Sequence, residues 1–375
     1  MLTLAATLAV FAYGLNSALL GALLPSYPLT SSQQGFVGLA NALGLMMSSM
    51  PAGRLVDSKG KKPALLLGLG LIFAGLSAAS HANQYVSLLL TYLVLGLGGG
   101  IVTTGANALV SSIAPRRRGE ALNFLNLFFG LGGVVTTFAA SYILTAHQLC
   151  YAIASVAALA FSVNALVTMP AASNRANLQP TDIMRWLTQP KLIIFSLLLF
   201  FYVACEVGVW NWLKTYLMIS ARFSPSSAGG LVSYGFALGI LLGRLAASRI
   251  PPRVPGISII LTAGVLISIT TFAILQLNST LALSITVFAT GLAMAPVFPT
   301  TLALIADAFP RGAATAMGIA ITSGWLGLAV SSPFIGHIAA VTSLRQALLL
   351  LPACSAAMVL VTAVLLLTPR TITTP

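Results

Sequence analysis

Gly53-Arg54-Leu55-Val56-Asp57-Ser58-Lys59-Gly60-Lys61-Lys62 carries five charged residues in ten, and the stretches on either side of it, 35–54 and 63–81, carry almost none. A short charged run between long apolar ones reads as a loop joining two membrane-spanning helices. Each span needs ~20 mostly apolar residues, rising ~1.5 Å apiece, to cross about 30 Å of hydrocarbon. The pattern continues outward in both directions. Apolar stretches at 2–25, 35–54, 63–81, 86–110, 120–144, 149–169, 191–217, 227–248, 256–276, 280–305, 312–338 and 344–368 predict twelve spans. Composition agrees: 58% of the 375 residues are apolar and only 6% are charged, against roughly one-quarter charged in an average soluble domain. Water is not the main solvent of this chain.

The formal charge is +13. A nucleic-acid partner would require those cations on one water-facing patch, but they fall in alternate loops, so no such partner is expected. With the spans above, Arg54, Lys59, Lys61, Lys62, Arg116, Arg117, Arg118, Arg175, Arg185, Lys191, Arg244, Arg249, Arg253, Arg311 and Arg370 share one side, and only Lys214, Arg222 and Arg345 lie on the other. Basic residues in short loops stay cytoplasmic. This split therefore predicts both termini inside, in a bacterial-type inner membrane. The first stretch has no basic residue before it and is too long for a signal-peptide core, so it reads as a retained span. Cys150, Cys205 and Cys354 are scattered singly, which supports neither a disulfide framework nor a metal site. No cofactor is expected.

The longest stretch without a spanning pattern is 170–190, rich in Pro, Asn and Thr. It predicts a division into a six-helix half at 1–169, a cytoplasmic linker at 170–190 and a second six-helix half at 191–375. Thr181-Asp182 before Ile183, Met184, Trp186 and Leu187 suggests a short capped interfacial helix in the linker. The halves echo each other. Gly53-Arg54-Leu55 ends span two and Gly243-Arg244-Leu245 ends span eight; Ala114-Pro115-Arg116 closes span four and Phe309-Pro310-Arg311 closes span ten. Such a parallel repeat is the pattern of six-plus-six carriers.

The opening run resembles, position by position, the loop signature of the major facilitator superfamily: glycine, three residues, aspartate, two residues, glycine and two basic residues. It lies between spans two and three, where that family carries it. The resemblance implies an all-α membrane protein of twelve transmembrane helices in two six-helix halves, working by alternating access, with the loop latching the cytoplasmic side. The second copy, at Arg244, lacks the aspartate. Physically, Asp57 is an acid among cations at a helix end, able to take charge-assisted hydrogen bonds from a basic side chain or a neighbouring helix N-terminus. As a plain surface salt bridge it would contribute little. Asp57, Arg54, Lys61, Glu120 and Arg118 are the candidate gating residues, with Glu120 beside Arg116 to Arg118 and Asp307 near Arg311.

A carrier needs polar groups inside the membrane, and ionisable ones there are functional candidates by default. Of five acids, Asp57, Glu120, Asp182 and Asp307 lie at helix ends or in loops, which leaves Glu206 as the deep one. A carboxylate at such a depth costs about 2.5–3.5 kcal/mol on insertion scales and must face protein or a water-filled cavity. Glu206 is therefore the candidate proton-coupling residue, a structural hydrogen-bonded acid being the blander alternative. Tyr202, Glu206 and Trp210 stand at i, i+4, i+8 and share one stripe. Asn211 and Trp212 would join them only if span seven broke near Gly208. Tyr13 and Asn16 in span one, Asn107 on the small polar face of span four, Asn126 in span five and Trp325 in span eleven complete the candidate substrate-binding set. Each is equally readable as a helix-packing residue, and Gly235, Gly239 and Gly243 are assigned to packing. Uncharged donors and acceptors beside aromatic rings suit a neutral, sugar-like solute, and with no Arg or Lys expected deep in a span an anionic one is disfavoured.

Residues 201–208, Phe-Tyr-Val-Ala-Cys-Glu-Val-Gly, and 122–132, Leu-Asn-Phe-Leu-Asn-Leu-Phe-Phe-Gly-Leu-Gly, resemble spans seven and five of the fucose–galactose–glucose:proton symporter group. That resemblance carries over Glu206 and Asn126 and implies proton-coupled sugar uptake. It departs from the group at Asn16 and Asn107, where fucose permeases rely on first-half acids. A proton-driven drug exporter of the same superfamily is the main alternative, although Gly130, Gly132 and Gly133 lack the proline of the exporter motif. A non-transporting sensor is another. An enzyme is not expected, because His81, His147 and His337 lie near outer span ends without acids beside them. The expected partners are a small-molecule substrate, a proton or other coupling ion and the bilayer, and the expected working unit is a monomer.

Overall fold

The computed structural model describes residues 1–23, 27, 29–82, 84–170, 186–220 and 223–367, whose regular elements are all helices. Among the described residues, twelve helices are long and apolar enough to cross a membrane: Leu2–Gly21, Gln33–Lys59, Lys61–Ala79, Tyr85–Ile113, Arg118–Ala140, Ala146–Leu166, Pro190–Ile219, Ser226–Ala247, Gly256–Gln276, Thr280–Ala308, Ala313–Val341 and Leu344–Leu366. They are numbered here as spans one to twelve. The short helix expected at Thr181-Asp182 and the cations Arg175, Arg185, Arg222 and Arg370 lie outside the described residues.

Local sequence sets the ends. Thr30 and Gln33 form a reciprocal capping box before span two, Thr145 and Gln148 another before span six, and Pro190 sits in the first turn of span seven, where a missing N–H removes no helical bond. Gly60, at φ 97°, is the positive-φ glycine that lets span two end and span three begin without an intervening loop. Span seven runs unbroken from Pro190 to Ile219, straight through Gly208. The irregularities fall elsewhere. Span ten breaks between Met294 and Val297, at Ala295-Pro296, and span eight contains a π-helical segment, Leu231–Phe236.

Glycines bring the helices together in the same pairs in each half. Gly96 and Gly100 of span four meet the backbones of Asn41 and Leu45 in span two, and the equivalent pair in the second half is Gly239 of span eight on Phe288 of span ten, with Gly291 returning the contact to Phe236. Gly14 of span one lies on the Phe129 backbone of span five, as Gly327 of span eleven lies on Phe200 of span seven. Small residues at such crossings let backbones approach closely where no hydrophobic effect drives helices together. Large apolar side chains such as Leu90, Phe138, Leu281 and Ile285 remain exposed on the periphery, the surface of a multi-pass membrane protein. The architecture is two six-helix halves joined by spans two with eleven, five with eight and five with ten.

Candidate functional site

Most specific contacts between the halves lie in the part of their helices nearer the basic loops, and Tyr142 of span five meets Tyr234 of span eight toward the opposite end. The outermost on the loop side is at Asp57. The backbone N–H and the hydroxyl of Thr315 both donate to its Oδ2, each at 2.7 Å. Thr315 is the third residue of span eleven, so the carboxylate sits on a helix N-terminus, where unpaired amides and the macrodipole favour negative charge. Gly53 packs on the Ala314 backbone and Gly318 on that of Ser49 and Met50. Those two crossings hold the helices close enough for Asp57 to reach. Lys61 lies within electrostatic range of Asp57, and Arg54 is exposed. Arg118 pairs across the halves with Asp307. Glu120 instead pairs with Arg117 of its own loop, at 3.4 Å. The partner of Asp307 is thus Arg118 and not its sequence neighbour Arg311.

One layer deeper, Asn126 donates to Asn107 Oδ1 at 2.9 Å and to the Leu122 carbonyl, while Asn107 donates to the Thr103 carbonyl. Both amides are buried, and in this conformation they pin span four to span five. Asn123 reaches Thr300 at 3.5 Å across the halves. Arg244 crosses too: its Nη1 donates to the Asn126 carbonyl at 2.8 Å, and its guanidinium carbon lies 5.8 Å from the centre of the Phe129 ring.

Above that layer stands the span-seven stripe. The Tyr202 hydroxyl donates to the Met294 carbonyl at 3.0 Å, at the break in span ten, where Pro296 has no N–H to continue the helix. Glu206, one turn further along, has the Tyr202 hydroxyl and the Arg244 guanidinium as its polar neighbours. Another turn on, Trp210 packs edge-on against Phe236, ring centres 5.0 Å apart, and is 39% exposed. Tyr13 stacks on Phe129 at 5.2 Å, with its hydroxyl at Thr103. Asn16 Oδ1 and Trp325 Nε1 are buried without a protein partner. Together these residues offer one acid, one cation, several buried neutral polar groups without a protein partner and aromatic faces. Among the described residues no group of histidines, cysteines and acids could hold a metal ion.

Residues 2–280 match the Major Facilitator Superfamily model. The chain belongs to the major facilitator superfamily. Among curated relatives, the Escherichia coli 3-(3-hydroxy-phenyl)propionate transporter is 26% identical over 334 residues, 84% of this chain and 79% of the relative. Bypass of stop codon protein 6 of Saccharomyces cerevisiae is 24% identical over 278 residues, 64% of this chain. The matched region spans 55% of the length of that yeast relative. Two solved structures superpose with a TM-score of 0.81 at 17% identity: the transporter FucP in the outward conformation, covering 96% of this chain and 98% of that one, and the human organic anion transporter MFSD10, covering 96% and 97%. At that identity they are evidence of the fold.

As a superfamily member, the chain brings Tyr202, Glu206 and Trp210 onto one face, while Asn107 and Asn126 already satisfy each other. Asn211 bonds Ser332, and the Trp212 ring lies against Gly336, as a straight span seven requires. The residue that sequence reasoning misplaced is Arg244. It was counted among the loop cations, and a deep cation was not expected, yet it is 3% exposed. The signal was available in side-chain direction: helical side chains lean toward the N-terminus. For span eight that is away from the basic loops, so an arginine three residues from the helix end points inward.

Proposed function

We propose that this chain takes up a small hydroxylated, sugar-like solute by proton-coupled alternating access, as a monomer in a bacterial-type inner membrane with its basic loops and both termini in the cytoplasm. One observation carries the reading: apart from Tyr142–Tyr234 toward the opposite end, the bonds named between the halves lie in the parts of their helices nearer the basic loops, an arrangement that suits a carrier more firmly closed on that side. The halves rock about the layer between Tyr202, Trp210 and Trp325 on one side and Tyr13, Asn16, Asn107 and Asn126 on the other. Rings stack on the solute's CH faces and amides bond its hydroxyls, with the Asn107–Asn126 pair exchanging its mutual bond for them. Asp57 and the Arg118–Asp307 pair form the inner gate.

Glu206 supplies the coupling proton. Among the described residues it is the acid that stands away from helix ends, between a hydroxyl and a guanidinium. Relatives in fold carry related cargo: the E. coli fucose:proton symporter and a proton:xylose symporter both superpose on this chain, and the E. coli sequence relative carries a hydroxylated phenylpropionate. Glu206→Gln in proteoliposomes tests the coupling. The variant is expected to lose concentrative uptake under an inward proton gradient while retaining solute counterflow. Undiminished concentrative uptake by the variant would remove Glu206 from that role.

A further inference from the structure

Arg244 is a buried cation with no carboxylate in ion-pair contact. It is 3% exposed, and neither Arg117–Glu120 nor Arg118–Asp307 includes it. Its Nη1 has one neutral acceptor, the Asn126 carbonyl; its Nε is buried with no partner at all; the face of Phe129 adds a weak cation–π contact. A guanidinium taken out of water loses several kcal/mol of hydration unless an anion and full hydrogen bonding restore it. Carbonyl and ring contacts restore only part. Glu206 is near enough to feel the charge but forms no ion pair with it. The planar fork of an arginine matches a carboxylate, which takes two parallel N–H donors. Elsewhere between the helices, Trp325 Nε1 and Asn16 Oδ1 are further buried groups with unfilled hydrogen-bonding capacity.

We propose that the carried solute is a hydroxylated monocarboxylate, a sugar acid in place of a neutral sugar, whose carboxylate is recognised by Arg244 and whose hydroxyls meet Asn16 and Trp325. This deepens the carrier reading above and rests on it. It reverses the expectation of a neutral solute, which depended on the absence of a deep cation. One carboxylate moving with one proton on Glu206 transfers no net charge, whereas a neutral sugar moving with one proton transfers a positive charge. The two cargoes therefore respond differently to membrane potential.

The test uses purified full-length chain in proteoliposomes and two solute pairs that differ in the carboxylate, D-galacturonate with D-galactose and D-gluconate with D-sorbitol. At least one acid is expected to exchange by counterflow tenfold or more faster than its neutral counterpart. Arg244→Gln is expected to bring that ratio within twofold, and Arg244→Lys to keep part of it. An interior-negative potential without a pH gradient is expected to leave uptake of the acid unaccelerated, whereas a neutral solute with one proton would accumulate about 50-fold at 100 mV. Exchange of neither acid, equal or better exchange of the neutral partners, an unchanged ratio in Arg244→Gln, or potential-driven accumulation overturns the proposal. The wild-type ratio and the potential response need no variant to fold. Loss of concentrative uptake in Glu206→Gln, with no acid preference in the wild type, leaves the coupling reading standing and removes the carboxylate. The opposite pair of results does the reverse.

Discussion

Asp57 holds two donors of the opposite half at once, and that geometry sets its strength. Hydrogen bonds to a charged acceptor contribute about 1.5–3 kcal/mol and neutral ones about 0.5–1.5. Asp57→Asn is therefore expected to weaken the closed gate by about 1–2 kcal/mol, a factor of about 5–30 in how often it opens. Hydrogen–deuterium exchange of the peptide containing Ala314 and Thr315 measures this directly, because Asp57 covers their amides. Exchange should quicken in that peptide while the buried middle of span four, Gly98–Val110, stays unchanged. Asp57 was legible in the sequence as an acid at a helix end seeking a cation or a helix N-terminus, though which of the two was not. Of the cations beside it in sequence, Arg54 and Lys59 are exposed and Lys61 acts only through its charge, while the amides of span eleven arrive from 258 residues away. Arg244 was illegible for a related reason. A residue count places its backbone near the loop, but its fate depends on which way the side chain leans and on what span five brings to meet it.

At the scale of the helix, apolar length fixed all twelve spans closely, since hydrocarbon thickness leaves little freedom in where a span starts and stops. Irregularities were harder to read. Gly208 was a plausible break, but glycine within a helix costs only about 1 kcal/mol, and here the Leu351 side chain of span twelve fills the space a side chain would take. Pro296 does break its helix, because it lacks the N–H, and the Tyr202 hydroxyl then bonds a carbonyl at the break. Crossings built on glycine make a sharp prediction. In Gly239→Leu the added side chain runs into the Phe288 carbonyl of span ten, a backbone atom that cannot step aside. The expected loss is about 1–3 kcal/mol or more from overpacking, read as a lower unfolding temperature in detergent.

For the whole molecule, the same substitution at Gly318 should behave differently. Gly318 meets Ser49 and Met50 across the halves, so a leucine there leaves each six-helix half intact and prevents the two from closing on the basic side. Gly318→Leu is expected to unfold near the wild-type temperature, to lose concentrative uptake, and to expose the Thr315 amide to exchange as strongly as any Asp57 variant. A large drop in unfolding temperature would mean instead that the halves depend on each other to fold. The two-half plan was visible in the paired Gly-Arg-Leu and Pro-Arg echoes. The bonds between the halves were not, because each joins residues that no repeat or periodicity relates.

The contact at Asp57 is also chemically lopsided. One side must present a carboxylate at a single position. The other presents a peptide amide, which nineteen of the twenty amino acids possess, and adds the Thr315 hydroxyl only as a supplement. A saturation scan should therefore find position 57 intolerant and position 315 permissive to every small residue except proline, the one side chain that deletes the amide. A contact whose receiving side is main chain therefore places its sequence constraint almost wholly on position 57.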